Sequence, residues 1–236
     1  MRRFRFEEDA DVAADIREKF GFDGDLLDLF ANNSGAVVHK WHHYIPLYDR
    51  YFAQFRGKPI RFLEIGVNKG GSLQMWRGYF GPEAKIFGID INEECAAFDG
   101  QAGQVRIGSQ ADPDFLNKVV DEMGGIDLVL DDGSHRMPHV RASFDVLFPR
   151  LEDGGIYMVE DLHTAYIEKF GGGYRSRANF FRFLRDLTDD MHNWYHKKGL
   201  RHPEFKRMIS GYHVHDSIAV IEKGATHRPV HSRVGG

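Results

Sequence analysis

The 236-residue chain is 42% hydrophobic and 28% charged, an ordinary globular balance that fits one domain (1–236) with a full core. A formal net charge of −4 argues against nucleic acid as a partner, because no excess of basic residues is present to bind phosphates. No apolar run approaches the ~20 residues that span a bilayer, so no membrane span is expected. The single cysteine, Cys95, excludes an internal disulfide and favours a reducing, cytoplasmic compartment.

The N-terminal stretch, residues 1–57, is predicted to form a helical cap on the main domain. Apolar residues recur at the four-residue spacing of a helix face within 12–20. An aromatic stripe follows over 38–55, where apolar side chains alternate at spacings of three and four. Pro46 interrupts this stripe, and we expect the helix to kink or restart there.

Residues 58–224 change to alternating strands and helices, a pattern that predicts a mostly parallel sheet with helices on both faces. Near the end, two β-rich runs flank His215-Asp216 and predict an antiparallel hairpin. We therefore expect an α/β fold: a doubly wound, seven-stranded, mostly parallel sheet with an antiparallel C-terminal hairpin. Residues 225–236 are polar and are expected to form a flexible tail. The parallel strands are predicted at 62–65, 85–90, 105–108, 126–130 and 156–159.

Glu64 to Ser72 has the position and glycine content of a cofactor-binding turn. Glycines such as Gly66 let the backbone approach a ligand where a Cβ would clash. Ser72 is the expected N-cap of the helix that follows, and a helix N-terminus favours negative groups. Asp90 ends the second strand, where a carboxylate can accept hydrogen bonds from both ribose hydroxyls. Together these features predict nucleoside binding; a plain strand–helix turn with a solvated aspartate is the alternative.

Carboxylates follow two apolar runs at the points where each predicted strand ends. Asp132 comes after the fourth strand, and Glu160 and Asp161 come after the fifth. Because parallel strands end at one edge of a sheet, these acids should gather there and repel one another. A divalent cation would compensate that charge, and an all-oxygen set suits Mg²⁺ or Mn²⁺. The alternative is that Asp132 and Asp161 cap the helices after them.

His135 lies three residues after Asp132 and is the candidate catalytic base. An imidazole titrates near neutral pH, so it can take a proton from a hydroxyl. A surface histidine is the alternative reading, and the neighbouring acids favour the base. The candidates for contact with a substrate, each with simple packing or solvent exposure as its alternative, are His42, His43, His163 and Tyr166.

The cofactor turn carries a resemblance to a known family. Glu64-Ile-Gly-Val, together with Asp90, resembles motifs one and two of the class I S-adenosylmethionine-dependent methyltransferases. That resemblance implies that the glycine turn lies against the methionine portion of the cofactor and that Asp90 holds its ribose. It also implies that Ser109 and Gln110 contact the adenine and that Asp131 faces the cofactor. The expected fold then takes the Rossmann-like form of that class.

The acidic motifs resemble those of one particular group of methyltransferases. Asp131-Asp-Gly-Ser-His135 followed by Glu160-Asp161 resembles the metal-dependent sugar O-methyltransferases of macrolide deoxysugars. It also resembles the rhamnosyl O-methyltransferase and cephalosporin-hydroxylase-like group, as does Lys40-Trp-His-His-Tyr44 upstream. The resemblance implies that Asp132, Glu160 and Asp161 ligate Mg²⁺ and that His135 is the base.

The implied function is a Mg²⁺-dependent O-methyltransferase that moves the methyl group of S-adenosylmethionine to a sugar hydroxyl. A natural-product deoxysugar, a rhamnose and a mannose-type glycan all fit, so the expected partner is a small-molecule or oligosaccharide acceptor. Two other readings stay open: a metal-dependent hydrolase or oxygenase of the cephalosporin-hydroxylase-like group, and a non-catalytic nucleoside-binding module. The aromatic content is compatible with a homodimer.

Overall fold

A seven-stranded sheet runs through the centre of the computed structural model, which describes residues 6–7 and 10–235. The strands are β1 (Arg61–Ile65), β2 (Lys85–Asp90), β3 (Gln104–Ile107), β4 (Ile126–Asp131), β5 (Leu151–Val159), β6 (Ile209–His215) and β7 (Ile218–Lys223). Their order is β3-β2-β1-β4-β5-β7-β6. Strands β1 to β5 pair in parallel, whereas β7 is antiparallel to both β5 and β6. The predicted mostly parallel sheet with an antiparallel hairpin is confirmed.

Helices cover both faces of this sheet. They are α1 (Val12–Phe20), α2 (Asp25–Ala31), α3 (Tyr44–Phe52), α4 (Gly71–Phe80), α5 (Pro113–Met123), α6 (Met137–Leu147) and α7 (Phe180–Met191). One apolar cluster joins one face of the sheet to α5, α6 and α7, and the other joins the opposite face to α1 to α4. Among the described residues, no helix has the length and apolar character needed to cross a membrane.

Strand β4 illustrates why the sequence folds in this way. Its apolar side chains alternate between the faces, with Val129 in the cluster of α5 to α7 and Leu128 and Leu130 in the cluster of α1 to α4. All three are fully buried, and each such side chain contributes roughly 1.5–3 kcal/mol to folding. A strand that is buried on both faces leaves only its end free for polar groups.

Two local predictions on the N-terminal side need correction. The stripe over 38–55 is not helical before Tyr44, although a helix does start close to Pro46, which lies in the first turn of α3 where a missing N–H costs no hydrogen bond. Ser72 is not the N-cap of α4, because Gly70 takes that position with a φ of 76°. The Ser72 hydroxyl instead donates to Glu64 Oε2 at 2.7 Å.

The ends of the predicted cap and tail, residues 1–5, 8–9 and 236, lie outside the described residues. Within the described part, α1 to α3 precede β1, and residues 224–235 form neither helix nor strand.

Strand register brings the functional residues together. Ile65 of β1 pairs with Asp131 of β4, which pairs in turn with Val159 of β5. The backbone continues this alignment by one residue, since the Asp132 N–H donates to Ile65 O at 2.9 Å and the Glu160 N–H donates to Asp131 O at 3.1 Å. The residues that follow these strands therefore meet at one edge, where open α/β sheets bind ligands.

Candidate active site

A cavity of about 470 Å³ opens at the carboxyl ends of the central strands. The segment before α3, from Val37 to Trp41, forms its other wall. Residues predicted from the sequence for the cofactor, for the metal and for catalysis share this one cavity: Gly66, Ser72, Asp90, Ser109, Gln110, Asp132, His135, Glu160 and Asp161. The glycine turn and the acidic motifs therefore belong to the same site.

Gly66 is required by the close approach of β1 and β4. Its φ is 100°, and a Cβ at this position would lie 2.2 Å from Asp132 O. Asp90 stabilises the turn from the side of β2, because its Oδ2 accepts the N–H groups of Val67 at 2.9 Å and Asn68 at 3.0 Å. The aspartate thus positions the turn and also lines the cavity.

Glu64 is buried beneath the turn and joins β1 to α4. Its carboxylate accepts hydrogen bonds from Ser72 Oγ at 2.7 Å and from Trp76 Nε1 at 3.0 Å. Burial raises the pKa of Glu64 to about 7, against the opposing effects of Lys40 and of these two donors. Glu64 therefore supports the turn from below.

Asp131 lies beneath the cavity floor instead of facing the cavity. Its oxygens accept hydrogen bonds from Ser143 Oγ at 2.7 Å, Tyr157 OH at 2.9 Å and Gln110 Nε2 at 3.1 Å. Burial raises the pKa of Asp131, and these donors act in the opposite direction. Because Gln110 Oε1 also accepts the Ser134 N–H at 2.6 Å, Asp131 fixes the orientation of a residue that does line the cavity.

Asp132, His135 and Asp161 form a group whose ligand atoms all lie within 4.8 Å of one another. His135 Nε2 is 3.6 Å from Asp161 Oδ2 and 3.9 Å from Asp132 Oδ1. The three side chains are partly exposed, at 21–25%, and face the cavity. His135 and Asp161 have φ values of 55° and 57°, a left-handed conformation that is uncommon for non-glycine residues. This group can hold a divalent cation.

Glu160, the third predicted metal ligand, lies on the cavity wall but outside this group of three. Its Oε1 accepts from Lys40 Nζ at 2.9 Å, and its Oε2 accepts from the hydroxyl of Tyr48. Burial and the neighbouring Asp132 charge raise the pKa of Glu160, while Lys40 opposes them. Protein donors thus occupy both carboxylate oxygens of Glu160.

Lys40 is a member of the site that the sequence reasoning missed. Its side chain is 2% exposed, and Nζ lies 2.5 Å from Asp132 Oδ2 and 4.0 Å from Glu64 Oε1. Burial by itself would lower the pKa of Lys40, but the charges of Asp132, Glu160 and Glu64 outweigh it and raise the pKa. The ammonium therefore stays charged between the cofactor turn and the acidic group.

Tyr44 and Tyr48 had no predicted role either, because the stripe over 38–55 was predicted only as a helix face. Tyr44 donates to Asp161 Oδ1 at 2.8 Å, and its OH accepts the Asp161 N–H at 3.2 Å. Lys40, Tyr44 and Tyr48 follow one another at a spacing of four, and each contacts a carboxylate at the end of β4 or β5. That spacing of polar groups within an apolar stripe was the available signal.

The four predicted substrate residues make other contacts in the described structure. His42 Nδ1 lies 2.7 Å from Asp15 Oδ2, and His43 Nε2 lies 3.3 Å from Asp216 O. His163 Nδ1 lies 2.8 Å from Ser217 Oγ, and its ring packs edge-on against Trp41 of the cavity wall. Tyr166 is 52% exposed and packs against Phe181. The His43 ring packs edge-on against Trp41 as well, so His43 and His163 are the two of the four that touch the cavity wall.

Residues 63–162 match the family described as "Methyltransferase domain". The match begins in β1, runs through the glycine turn and the strand-two acid, and ends just after Glu160 and Asp161. The domain therefore contains the cofactor turn and the acidic group together.

Curated relatives match beyond this domain. The 8-demethyl-8-(2-methoxy-alpha-L-rhamnosyl)-tetracenomycin-C 3'-O-methyltransferase of Streptomyces olivaceus is 38% identical over 213 residues, which cover 85% of this chain and 54% of the relative. The mycinamicin VI 2''-O-methyltransferase of Micromonospora griseorubida is 37% identical over 85% of this chain and 53% of its own length. The chain therefore spans about half the length of the curated relatives it matches.

Solved structures agree with these relatives. The MycE methyltransferase from the mycinamycin biosynthetic pathway, solved in complex with Mg and SAH, superimposes with a TM-score of 0.76 at 33% identity, over 86% of this chain and 55% of that one. A second MycE structure, which also contains mycinamycin VI, gives a TM-score of 0.73 at 32% identity, over 92% and 54%. The predicted class I methyltransferase fold and the resemblance to sugar O-methyltransferases are confirmed.

Proposed function

We propose that this protein is a Mg²⁺-dependent O-methyltransferase that transfers the methyl group of S-adenosylmethionine to a hydroxyl of a sugar. One observation carries the proposal: the glycine turn of the methyltransferase domain and the group of Asp132, His135 and Asp161 line one cavity. The sugar O-methyltransferases among the relatives, and MycE with Mg and SAH, support it.

S-adenosylmethionine would bind at the ends of β1, β2 and β3. We assign the methionine portion to the Gly66 turn and the ribose to Asp90, with Ser109 and Gln110 beside the adenine. All four residues line the cavity. Asp90 donates nothing, so its carboxylate suits hydroxyl groups as partners, and the N-terminus of α4 favours a carboxylate. Glu64, Ser72 and Asp131 support this cradle through the hydrogen bonds that orient α4 and Gln110.

The donor set fits a divalent cation. Asp132 Oδ1 and Asp161 Oδ2 are the oxygens nearest His135, and oxygen ligands suit Mg²⁺. Glu160, which lines the same cavity and accepts a hydrogen bond from Lys40, is the third proposed ligand. When bound, Mg²⁺ would lower the pKa of a coordinated sugar hydroxyl. The proposed ligand set of three carboxylates also differs from the two-histidine, one-carboxylate set of iron oxygenases.

His135 would take the proton. Its Nε2 accepts the proton of the acceptor hydroxyl as that oxygen bonds to the methyl carbon, and the methyl–sulfur bond breaks with its electron pair left on sulfur. The products are a methyl ether, S-adenosylhomocysteine and a protonated His135. Asp161 and Asp132, at 3.6 and 3.9 Å, would stabilise the imidazolium that forms. In-line transfer needs the reacting atoms about 3–3.5 Å apart, so positioning is the other task of the cavity.

The acceptor is proposed to be a sugar carried by a small molecule, because the curated relatives are enzymes of rhamnosylated tetracenomycin and mycinamicin. The test is to incubate the protein with methyl-labelled S-adenosylmethionine and a panel of acceptors: a rhamnosylated polyketide, a macrolide deoxysugar, a free rhamnose and a catechol. We expect label on the glycosylated compounds. Label on the catechol alone, or hydrolysis of an acceptor without label, would contradict the proposal.

A further inference from the structure

Lys40 is the buried cation of the active site, and the mechanism above gives it no role. Its ammonium hydrogen-bonds Asp132 Oδ2 and Glu160 Oε1 and lies 4.0 Å from Glu64 Oε1. The two carboxylate oxygens of Asp132 therefore contact different groups: Oδ2 accepts from Lys40, while Oδ1 lies towards His135. Lys40 therefore contacts two of the three proposed metal ligands without being able to ligate a metal itself, because a protonated amine has no free lone pair.

Lys40 has two opposite effects on the affinity of the carboxylates for a metal ion. By hydrogen-bonding Asp132 and Glu160, the ammonium holds the carboxylates together and counters their mutual repulsion. By its charge, it repels any second cation that binds to the same carboxylates. The second effect is the larger one here. Asp161 and Glu160 each accept a hydrogen bond from a tyrosine, Tyr44 and Tyr48 respectively, so the positioning of these two carboxylates would survive the loss of Lys40.

We propose that Lys40 is a positioning residue that sets the net charge of the metal site and weakens its affinity for the divalent cation. This inference rests on the proposed function, since it assumes that the carboxylates beside Lys40 bind a metal. A weakly held ion would exchange with the solvent, and the site would be filled in proportion to the free Mg²⁺ concentration.

The test measures metal affinity directly and needs no turnover. Mn²⁺ is titrated into the wild-type protein and into Lys40→Met, and free Mn²⁺ is read from its electron paramagnetic resonance signal. We expect Lys40→Met to bind Mn²⁺ at least about tenfold more tightly. The repulsion between a cation and a dication a few ångström apart weakens binding by roughly that factor even in water. Lys40→Arg keeps the charge and should stay within about threefold of the wild type.

A charge-matched variant separates charge from packing. In titrations at about pH 8, above the pKa of about 7 at which Glu64 ionises, Lys40→Met combined with Glu64→Gln removes one charge of each sign and leaves the three proposed ligands intact, so its Mn²⁺ affinity should return towards that of the wild type. Thermal unfolding of each variant without metal checks that the fold is retained. Where Lys40→Met unfolds, Lys40→Gln, which keeps a hydrogen-bond donor but no charge, carries the same expectation.

Each outcome has a definite meaning. Unchanged or weaker Mn²⁺ binding in a folded, neutral Lys40 variant overturns the inference and leaves the proposed function standing. Tighter binding that persists in the charge-matched double variant also overturns it, because charge would not then be the cause. If the wild-type protein binds no Mn²⁺, the metal part of the proposed function fails, and the inference fails with it.

Discussion

His135 Nε2 lies near two carboxylates, those of Asp132 and Asp161. This position fits a base whose protonated form is stabilised, and it also fits a metal ligand, because the same atom belongs to the group of three. We expect His135→Ala to lower turnover by about 10²- to 10⁴-fold, the usual contribution of a general base. Mn²⁺ affinity should change by less than about threefold. A parallel loss of both would identify His135 as a ligand instead.

Glu64 predicts a dependence of stability on pH. Burial raises its pKa to about 7 from the ordinary 4.5, so the folded protein binds this proton more tightly than the unfolded chain does. The resulting stabilisation is fully present below pH 4.5 and is lost as pH rises from 4.5 to about 7.

Glu64→Gln should remove this dependence, since an amide resembles the protonated acid and can donate to Ser72 Oγ. As pH rises across that window, the wild type should lose up to about 3 kcal/mol of unfolding free energy that the variant keeps. Urea denaturation at a series of pH values measures it. A difference between the two proteins that stays constant with pH would contradict the assignment.

At the scale of elements, α3 connects the N-terminal cap to the acidic edge of the sheet. Tyr48 is fully buried, and its hydroxyl donates to Glu160. Tyr48→Phe should lower the unfolding free energy by about 1–3 kcal/mol, because it leaves a buried carboxylate oxygen without that donor. The matched control is Tyr51→Phe on the same helix, whose hydroxyl contacts the partly exposed His215 and should cost about 1 kcal/mol or less. Equal losses in urea denaturation would argue against the role of α3.

The close approach of the chain after β1 to the chain after β4 depends on one glycine. A Cβ at Gly66 would lie 2.2 Å from Asp132 O, whereas at Gly81, which also has a positive φ, it would meet nothing within 4 Å. An alanine is strained by the positive φ at both positions, 100° at Gly66 and 89° at Gly81, so the difference between the two variants reports mainly on the collision. We expect Gly66→Ala to be less stable than Gly81→Ala by about 1–3 kcal/mol in chemical denaturation. It should also disturb Asp132, so equal stability and unchanged metal binding would contradict the account.

The strands could be predicted because each is a short apolar run with a polar residue or glycine at its end. The parallel pairing then placed Asp132, Glu160 and Asp161 at one edge without any knowledge of their contacts. The start of α3 was placed too early, because the apolar spacing of three and four begins at residue 38, before the helix does. The cap of α4 could not be predicted, because the Ser72 hydroxyl suits an N-cap equally well and only the fold places Glu64 beside it. Lys40 was missed for the same reason: its carboxylate partners lie about 90 and 120 residues away in sequence.

At the scale of the whole molecule, the N-terminal cap and the domain that residues 63–162 belong to build the site together. The domain supplies the cofactor turn and the acids, while the segment before α3 supplies one cavity wall and the buried ammonium. The chain spans about half the length of its curated relatives, so acceptor, assembly and compartment stay predictions: a glycosylated small molecule, a homodimer and the cytoplasm.

The central claim is that methyl transfer to a sugar hydroxyl depends on a cation held at the carboxylate edge. The most direct measurement follows the mass of a glycosylated acceptor with S-adenosylmethionine in Mg²⁺, after exhaustive EDTA treatment, and after Mg²⁺ is restored. We predict a gain of one methyl group on the sugar in Mg²⁺, its loss in EDTA and its return with Mg²⁺. Asp161→Asn should remain inactive throughout. Methylation that continues undiminished after full chelation would contradict the account.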